Sequence, residues 1–147
     1  SKQRWNMPNS NDVSYSVNID SPIAVYVQIE NQIQFAIASG RIKPGFTLPS
    51  VREMSQELEV NPNTVTKAYR DLELLELVHT RRGVGVTIAE KAPKICRERV
   101  RPMVKSHLVD SVAECLACGL SESDVRNIVE NTIGAGTRPY EAPKKKK

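Results

Sequence analysis

The chain has no disulfide framework. Its three cysteines, Cys96, Cys115 and Cys118, are odd in number and fall in the last third, which fits a reducing compartment and not a cross-linked secreted scaffold. Long apolar runs are missing too: none approaches the roughly twenty residues that span a bilayer, so a membrane helix is excluded and no membrane partner is expected. The opening residues, SKQRWNMPNSND, are polar and give no secretory leader. Serine at position 1 suggests a trimmed or engineered end, and a cytoplasmic protein is the expectation.

The groupings that mark an enzyme are absent as well. There is no nucleophile–base pair, no phosphate-binding loop and no quartet of metal ligands. The glycines of GVGVTI do not precede a helix and make no nucleotide fingerprint. Catalysis, metal and cofactor are therefore not expected. Nor is there a true surplus of charge. The net charge is +4, but Lys144, Lys145, Lys146 and Lys147 supply all of it, leaving seventeen basic against seventeen acidic residues. What counts is where the charges sit on each element. A length of 147 residues allows one domain and a small appendage, and no internal repeat is visible.

What is present reads as an ordered series of elements. Residues 1–12 read as a flexible arm. VSYSVNI alternates Val13, Tyr15, Val17 and Ile19, the pattern of a half-buried strand. Ser21 and Pro22 then supply a cap and a first-turn proline. The helix after them turns Val25, Ile29, Ile33, Ala36 and Ile37 inward and stops at Gly40. RIKPGFTLP reads as a loop that tucks Leu48 into the core. Ser50 and Glu53 have capping-box spacing, opening a short helix with Val51, Met54 and Leu58 inward. Glu59 and Val60 lead to the next cap, Asn61, with Pro62 behind it. The third helix runs to about Leu75 and buries Val65, Ala68, Leu72 and Leu75. LVHT and VGVTI flank RRGVG, where Gly83 and Gly85 permit a hairpin turn at positive φ.

Two helices joined by a tight turn and followed by a hairpin make a winged helix-turn-helix. The fold class expected is mainly α with a small β-hairpin wing over residues 13–90, followed by a small helical appendage over 91–134 and a disordered basic tail over 135–147. In that unit the third helix turns Asn63, Thr64, Thr66, Lys67 and Arg70 outward. Asparagine suits adenine, threonine a thymine methyl or a phosphate, and lysine or arginine guanine or phosphate. The caps Ser50 and Asn61 offer exposed helix-start amides to phosphate, and Arg52 is placed to clamp the backbone. Arg81, Arg82 and Gly83 crown the wing, where arginine is drawn to a narrow minor groove and glycine allows close approach. Asp71, Glu73 and Glu76 fall toward the far end of the helix and should point away from DNA. Any one of these features alone is an ordinary solvated face; their joint arrangement carries the reading. The partner expected is therefore double-stranded DNA, with location at the nucleoid when bound. A winged helix used only as a protein-interaction module is the alternative.

The stretch Ser21 to Ile88 resembles the winged-helix domain of the GntR family of bacterial transcription regulators. The resemblance rests on Tyr26 to Ile29, SGRIKPG, LPSVRE, NPNTVTKAYRDLE and RRGVG. It implies DNA contacts at Arg52, at the start of the third helix and at Gly83. Where many members carry arginine, this chain has Pro62 and Thr66. The NPNTV form is similar to the YtrA-type branch, so base preferences of arginine-bearing relatives do not transfer.

From about Ala92 a long helix carries Val100, Met103, Val104, Leu108, Val112, Cys115 and Leu116, with Pro102 expected to kink it or mark its true start, and Gly119 ending it. Ser121 and Asp124 open a last helix with Val125, Ile128, Val129 and Thr132 on one face. Similarity to the YtrA-type branch implies that these helices dimerise. Physically, such apolar faces need a cover, and a second copy is the simplest one. The expected interface is Val104, Leu108, Val112, Cys115, Leu116, Val125, Ile128 and Val129, and a homodimer would read an inverted repeat as a repressor. Two helices cannot enclose a pocket of several hundred Å³, and whether a small-molecule effector is a further partner stays open. Cys115 and Cys118 are read as packing residues in an apolar stretch, with redox sensing and metal binding as alternatives, and His79 as structural.

Overall fold

The structure, a computed structural model, describes residues 13–135. The expected arm over 1–12, and the expected tail beyond Ala135, lie outside the described residues. The order is α1 (Val25–Ala38), α2 (Val51–Leu58), α3 (Pro62–Leu74), β1 (Val78–Arg81), β2 (Gly85–Ile88), α4 (Ala92–Ala117) and α5 (Glu122–Gly134). The described chain forms two compact units, the first ending at Val100 and the second beginning at Arg101. The division falls inside α4 and not at the expected 90/91 junction, because Ala92, Cys96 and Val100 are buried with the first unit's core residues.

That core follows from helical spacing. Ile29, Ile33, Ala36 and Ile37 of α1 meet Met54 of α2, Val65, Ala68 and Leu72 of α3, and Leu77, Val78 and Ile88 around the hairpin. Fully burying each large aliphatic side chain contributes about 1.5–3 kcal/mol. α3 packs on both α1 and α2 and adjoins β1. The hairpin is antiparallel, pairing Val78 with Ile88 and Arg81 with Gly85.

Several local expectations are corrected. Val13 to Ile19 is not a strand. Val13 and Tyr15 are buried as the alternation required, but among the described residues no strand pairs with them. Side chains take the ladder's place: Tyr15 N–H donates to Glu57 Oε2 at 3.2 Å, Ser16 N–H to Gln32 Oε1 at 3.1 Å, and Asn18 N–H to Gln28 Oε1 at 2.8 Å, while Gln32 Nε2 donates back to the Ser16 carbonyl. Ile19 is 78% exposed. Ser21 and Pro22 do not start α1; the helix begins at Val25 after Ala24, with no side-chain cap. The loop after α1 pairs with the wing, through Gly45 N–H to the Ile88 carbonyl, Ile88 N–H to the Phe46 carbonyl and Leu48 N–H to the Val86 carbonyl. Leu75 is only half-buried and caps α3 from outside. Pro102 lies within α4 and does not mark its start.

In the second unit, α4 stops on Gly119 at φ +102°, with Leu120 N–H reaching the Cys115 carbonyl at 3.0 Å. Ser121 and Asp124 form the expected capping box of α5. No helix among the described residues is long and apolar enough to cross a membrane.

Candidate nucleic-acid interface

The two helices of the candidate reading head are fixed at their starts by their own sequence. At α2, Ser50 Oγ accepts from Glu53 N–H at 3.0 Å while Glu53 Oε1 accepts from Ser50 N–H at 2.9 Å, a reciprocal box that holds two end amides. At α3, Asn61 Oδ1 accepts from Asn63 N–H at 2.7 Å, with Pro62 in the first turn. Ser50 and Asn61 thus serve first as caps. The turn between the helices is closed by Glu59 in the left-handed region at φ +57°, and Val60 N–H reaches the Ser55 carbonyl at 3.0 Å.

Burial separates the two faces of α3. Val65, Ala68 and Leu72 are buried, Asn63, Lys67 and Arg70 exposed, and Thr64 and Thr66 half-buried. Tyr69 was absent from the inward set, yet it is buried and its hydroxyl donates to the Pro49 carbonyl at 2.7 Å. That bond ties the recognition-helix candidate to the chain just ahead of α2. Burial pushes the Tyr69 hydroxyl far above the ordinary phenol range, so it remains a donor. Arg52 stands exposed on α2.

Lys67 is not a free cation. Its ammonium lies 3.3 Å from Asp71 Oδ2 and 4.7 Å from the centre of the Tyr26 ring on α1. Asp71 therefore engages the lysine instead of merely pointing away. The sequence offered a signal for this contact: Lys67 and Asp71 stand four apart on one helix. Glu30, one turn beyond Tyr26 on α1, was overlooked.

In the wing, Arg81 ends β1, and Arg82, Gly83 and Val84 form the turn, with Val84 N–H donating to the Arg81 carbonyl at 2.9 Å. Gly83 has φ +79° and open space where a side chain would project. At Gly85, φ is +115° and a Cβ would stand 3.3 Å from Thr47 Cγ2. Arg81, Arg82 and Gly83 are all exposed, as is Val84 at the tip, which the sequence reading did not single out.

The second candidate surface is apolar. Among the residues expected to pair, Val104 is 37%, Leu108 58%, Leu116 43% and Ile128 52% exposed, and Val112, Cys115, Val125 and Val129 are half-buried. Val112, Leu116, Glu122, Val125 and Arg126 line an open groove of about 340 Å³ between α4 and α5. Packing within the chain does not account for Cys118, which is exposed. Cys96 is the cysteine that packs, and burial pushes its thiol up to about 12. No group of three or more His, Cys, Asp or Glu among the described residues is arranged to hold a metal ion.

Residues 25–88 match the family described as bacterial regulatory proteins, gntR family. Over 101 residues the chain is 39% identical to the uncharacterized HTH-type transcriptional regulator YhcF of Bacillus subtilis, covering 69% of this chain and 83% of that one. Over 100 residues it is 37% identical to the HTH-type transcriptional repressor YtrA of the same organism, covering 68% and 77%. Among solved structures, a GntR family transcriptional regulator from Listeria monocytogenes superposes with a TM-score of 0.54 at 31% identity, covering 76% of this chain and 97% of that one.

Proposed function

The chain belongs to the GntR family and is a DNA-binding transcriptional regulator, and from that premise we propose that it is a repressor acting as a homodimer on an inverted-repeat operator. α3 lies in the major groove, with Asn63, Thr64, Thr66, Lys67 and Arg70 toward the bases and backbone, while Arg52, with the side chains of Ser50 and Asn61 at the two helix starts, meets the phosphates. Arg81, Arg82 and Gly83 meet the neighbouring minor groove. The observation that carries this reading is the division of α3 into a buried row of Val65, Ala68 and Leu72 and a polar side on which Asn63, Lys67 and Arg70 are exposed and Thr64 and Thr66 half-buried, beside a wing whose tip is bare glycine between basic and apolar residues.

Pairing rests on the second unit, where Val104, Leu108, Leu116 and Ile128 are exposed while Val112, Cys115, Val125 and Val129 are half-buried. A second copy covers this face. Two linked reading heads then bind one site with a combined affinity neither has alone. The place of action is the cytoplasm, at the nucleoid when bound, and the role is regulatory and not enzymatic. A name borne by one relative, repressor, supports the sign of regulation.

The test is a gel shift on a duplex that the chain itself selects from a random library, with wild type against a Lys67→Ala, Arg70→Ala double variant. Loss of retardation with an unchanged circular dichroism spectrum is expected. Wild-type retardation by the double variant would contradict the placement of α3.

A further inference from the structure

Lys67 is held by a small, half-buried cluster that reaches back to α1. Glu30 is half-buried on that helix, and its Oε2 is buried with no hydrogen-bond partner. The charged groups that face it are Asp71 and Lys67 from α3 and Arg99 from α4. Arg99 Nε is committed to Gln34 Oε1 at 2.7 Å. Lys67 Nζ lies 3.3 Å from Asp71 Oδ2 and sits over the Tyr26 ring. So the lysine's nearest acid faces a second acid, one of whose oxygens is shut off from solvent without a donor.

Two ionised carboxylates cannot bond to each other, because neither has a hydrogen to donate. One proton on Glu30 turns the repulsion into an O–H donated to Asp71. We propose that Glu30 is a positioning residue for DNA binding: through Asp71 it sets the charge around Lys67, so affinity for DNA falls as Glu30 loses its proton. The inference rests on the reading of Lys67 as a DNA contact.

The site of the proton follows from the surroundings. Burial first, then hydrogen bonding to Asp71 and repulsion by its charge, raise the Glu30 carboxyl from an ordinary 4.5 to about 7. Asp71 is moved the other way, first by the bond from Glu30 and then by Lys67. With Glu30 protonated, one carboxylate balances one ammonium. With Glu30 ionised, Lys67 faces two carboxylates and the DNA-facing surface gains a negative charge beside the phosphates. Both changes oppose binding. The sign is that of a raised acid: affinity is highest below the Glu30 pKa and declines as pH rises through it. Folding stability moves the same way, being greatest below about 4.5 and falling as pH rises toward about 7.

The experiment measures anisotropy of the library-selected duplex with the full chain from about pH 5.5 to about pH 8.5, a span that brackets the neutral range. Wild type is compared with Glu30→Gln, whose amide keeps a donor and cannot ionise, and with Asp71→Asn. Wild type and Glu30→Gln should bind alike at the acid end. At the basic end wild type should be weaker by roughly threefold to fivefold, the size of one partly exposed charge pair. Asp71→Asn should flatten the profile in the same way, which keeps the test open if either variant folds poorly. Parallel profiles for wild type and both variants would overturn the role of Glu30. Lys67→Met separates the two readings: undiminished binding by Lys67→Met removes the lysine contact itself, whereas weakened binding with parallel profiles removes the Glu30 link alone.

Discussion

Apolar residues recur at helical spacing in both units, with opposite outcomes. Up to Val100, Ile29, Ile33, Ile37, Val65, Leu72 and Cys96 are all buried at 1% exposure or less. From Arg101 to Ala135 the same pattern leaves no residue buried. The first unit surrounds its stripe with three helices and a hairpin, so each apolar face meets another. The second has one antecedent helix end and α5, too little surface to enclose either face. Periodicity thus marks which residues seek cover, while the number of elements decides whether the chain supplies it. The first unit is a finished reading head, and the second unit's surface is what a partner copy would complete.

Removing the second unit gives the largest effect. A chain ending at Val100 keeps Ala92, Cys96 and Val100 in the core and should remain folded as a monomer, with affinity for an inverted repeat lowered by about 10²- to 10⁴-fold. Sedimentation of that fragment as a dimer would break the comparison. Paired substitutions sharpen it. Leu72→Ala should lower unfolding free energy by about 2–5 kcal/mol. Leu108→Glu should leave the melting of the first unit in place and shift the sedimenting species to monomer. Arg52→Ala and Arg82→Ala come next, each weakening DNA binding by about 1–3 kcal/mol with unchanged thermal melting. If both bind like wild type, the docking of α2 and the wing is wrong. The smallest effect lies in the turn of the reading head. Glu59 occupies the left-handed region, so Glu59→Gly should raise stability by about 0.5–1 kcal/mol in chemical denaturation.

Legibility follows locality. Ser50 with Glu53, Asn61 with Pro62, and Ser121 with Asp124 were readable because each cap is completed within three residues, and all three form. The inward rows of α1 and α3 were readable from spacing. Val13 to Ile19 was half readable. Alternation reports a buried face but not the bonding partner, and here Gln28, Gln32 and Glu57 supply it from distant positions. Tyr69 escaped because it adjoins the 65–68–72 row and its hydroxyl is satisfied only by the Pro49 carbonyl across the fold. Of the candidate site, the outward row of α3 and the wing tip could be listed from sequence. The holding of Lys67 by Tyr26 could not, since that contact depends on how α1 crosses α3.

The most direct measurement is a hydroxyl-radical footprint of the full chain on its selected duplex, alongside the fragment ending at Val100. Two protected half-sites related by a two-fold axis, about one helical turn or more apart, are expected for the full chain, with both fading for the fragment at the same concentration. A single protected half-site for the full chain, or an undiminished double footprint for the fragment, would contradict the division of labour between the two units.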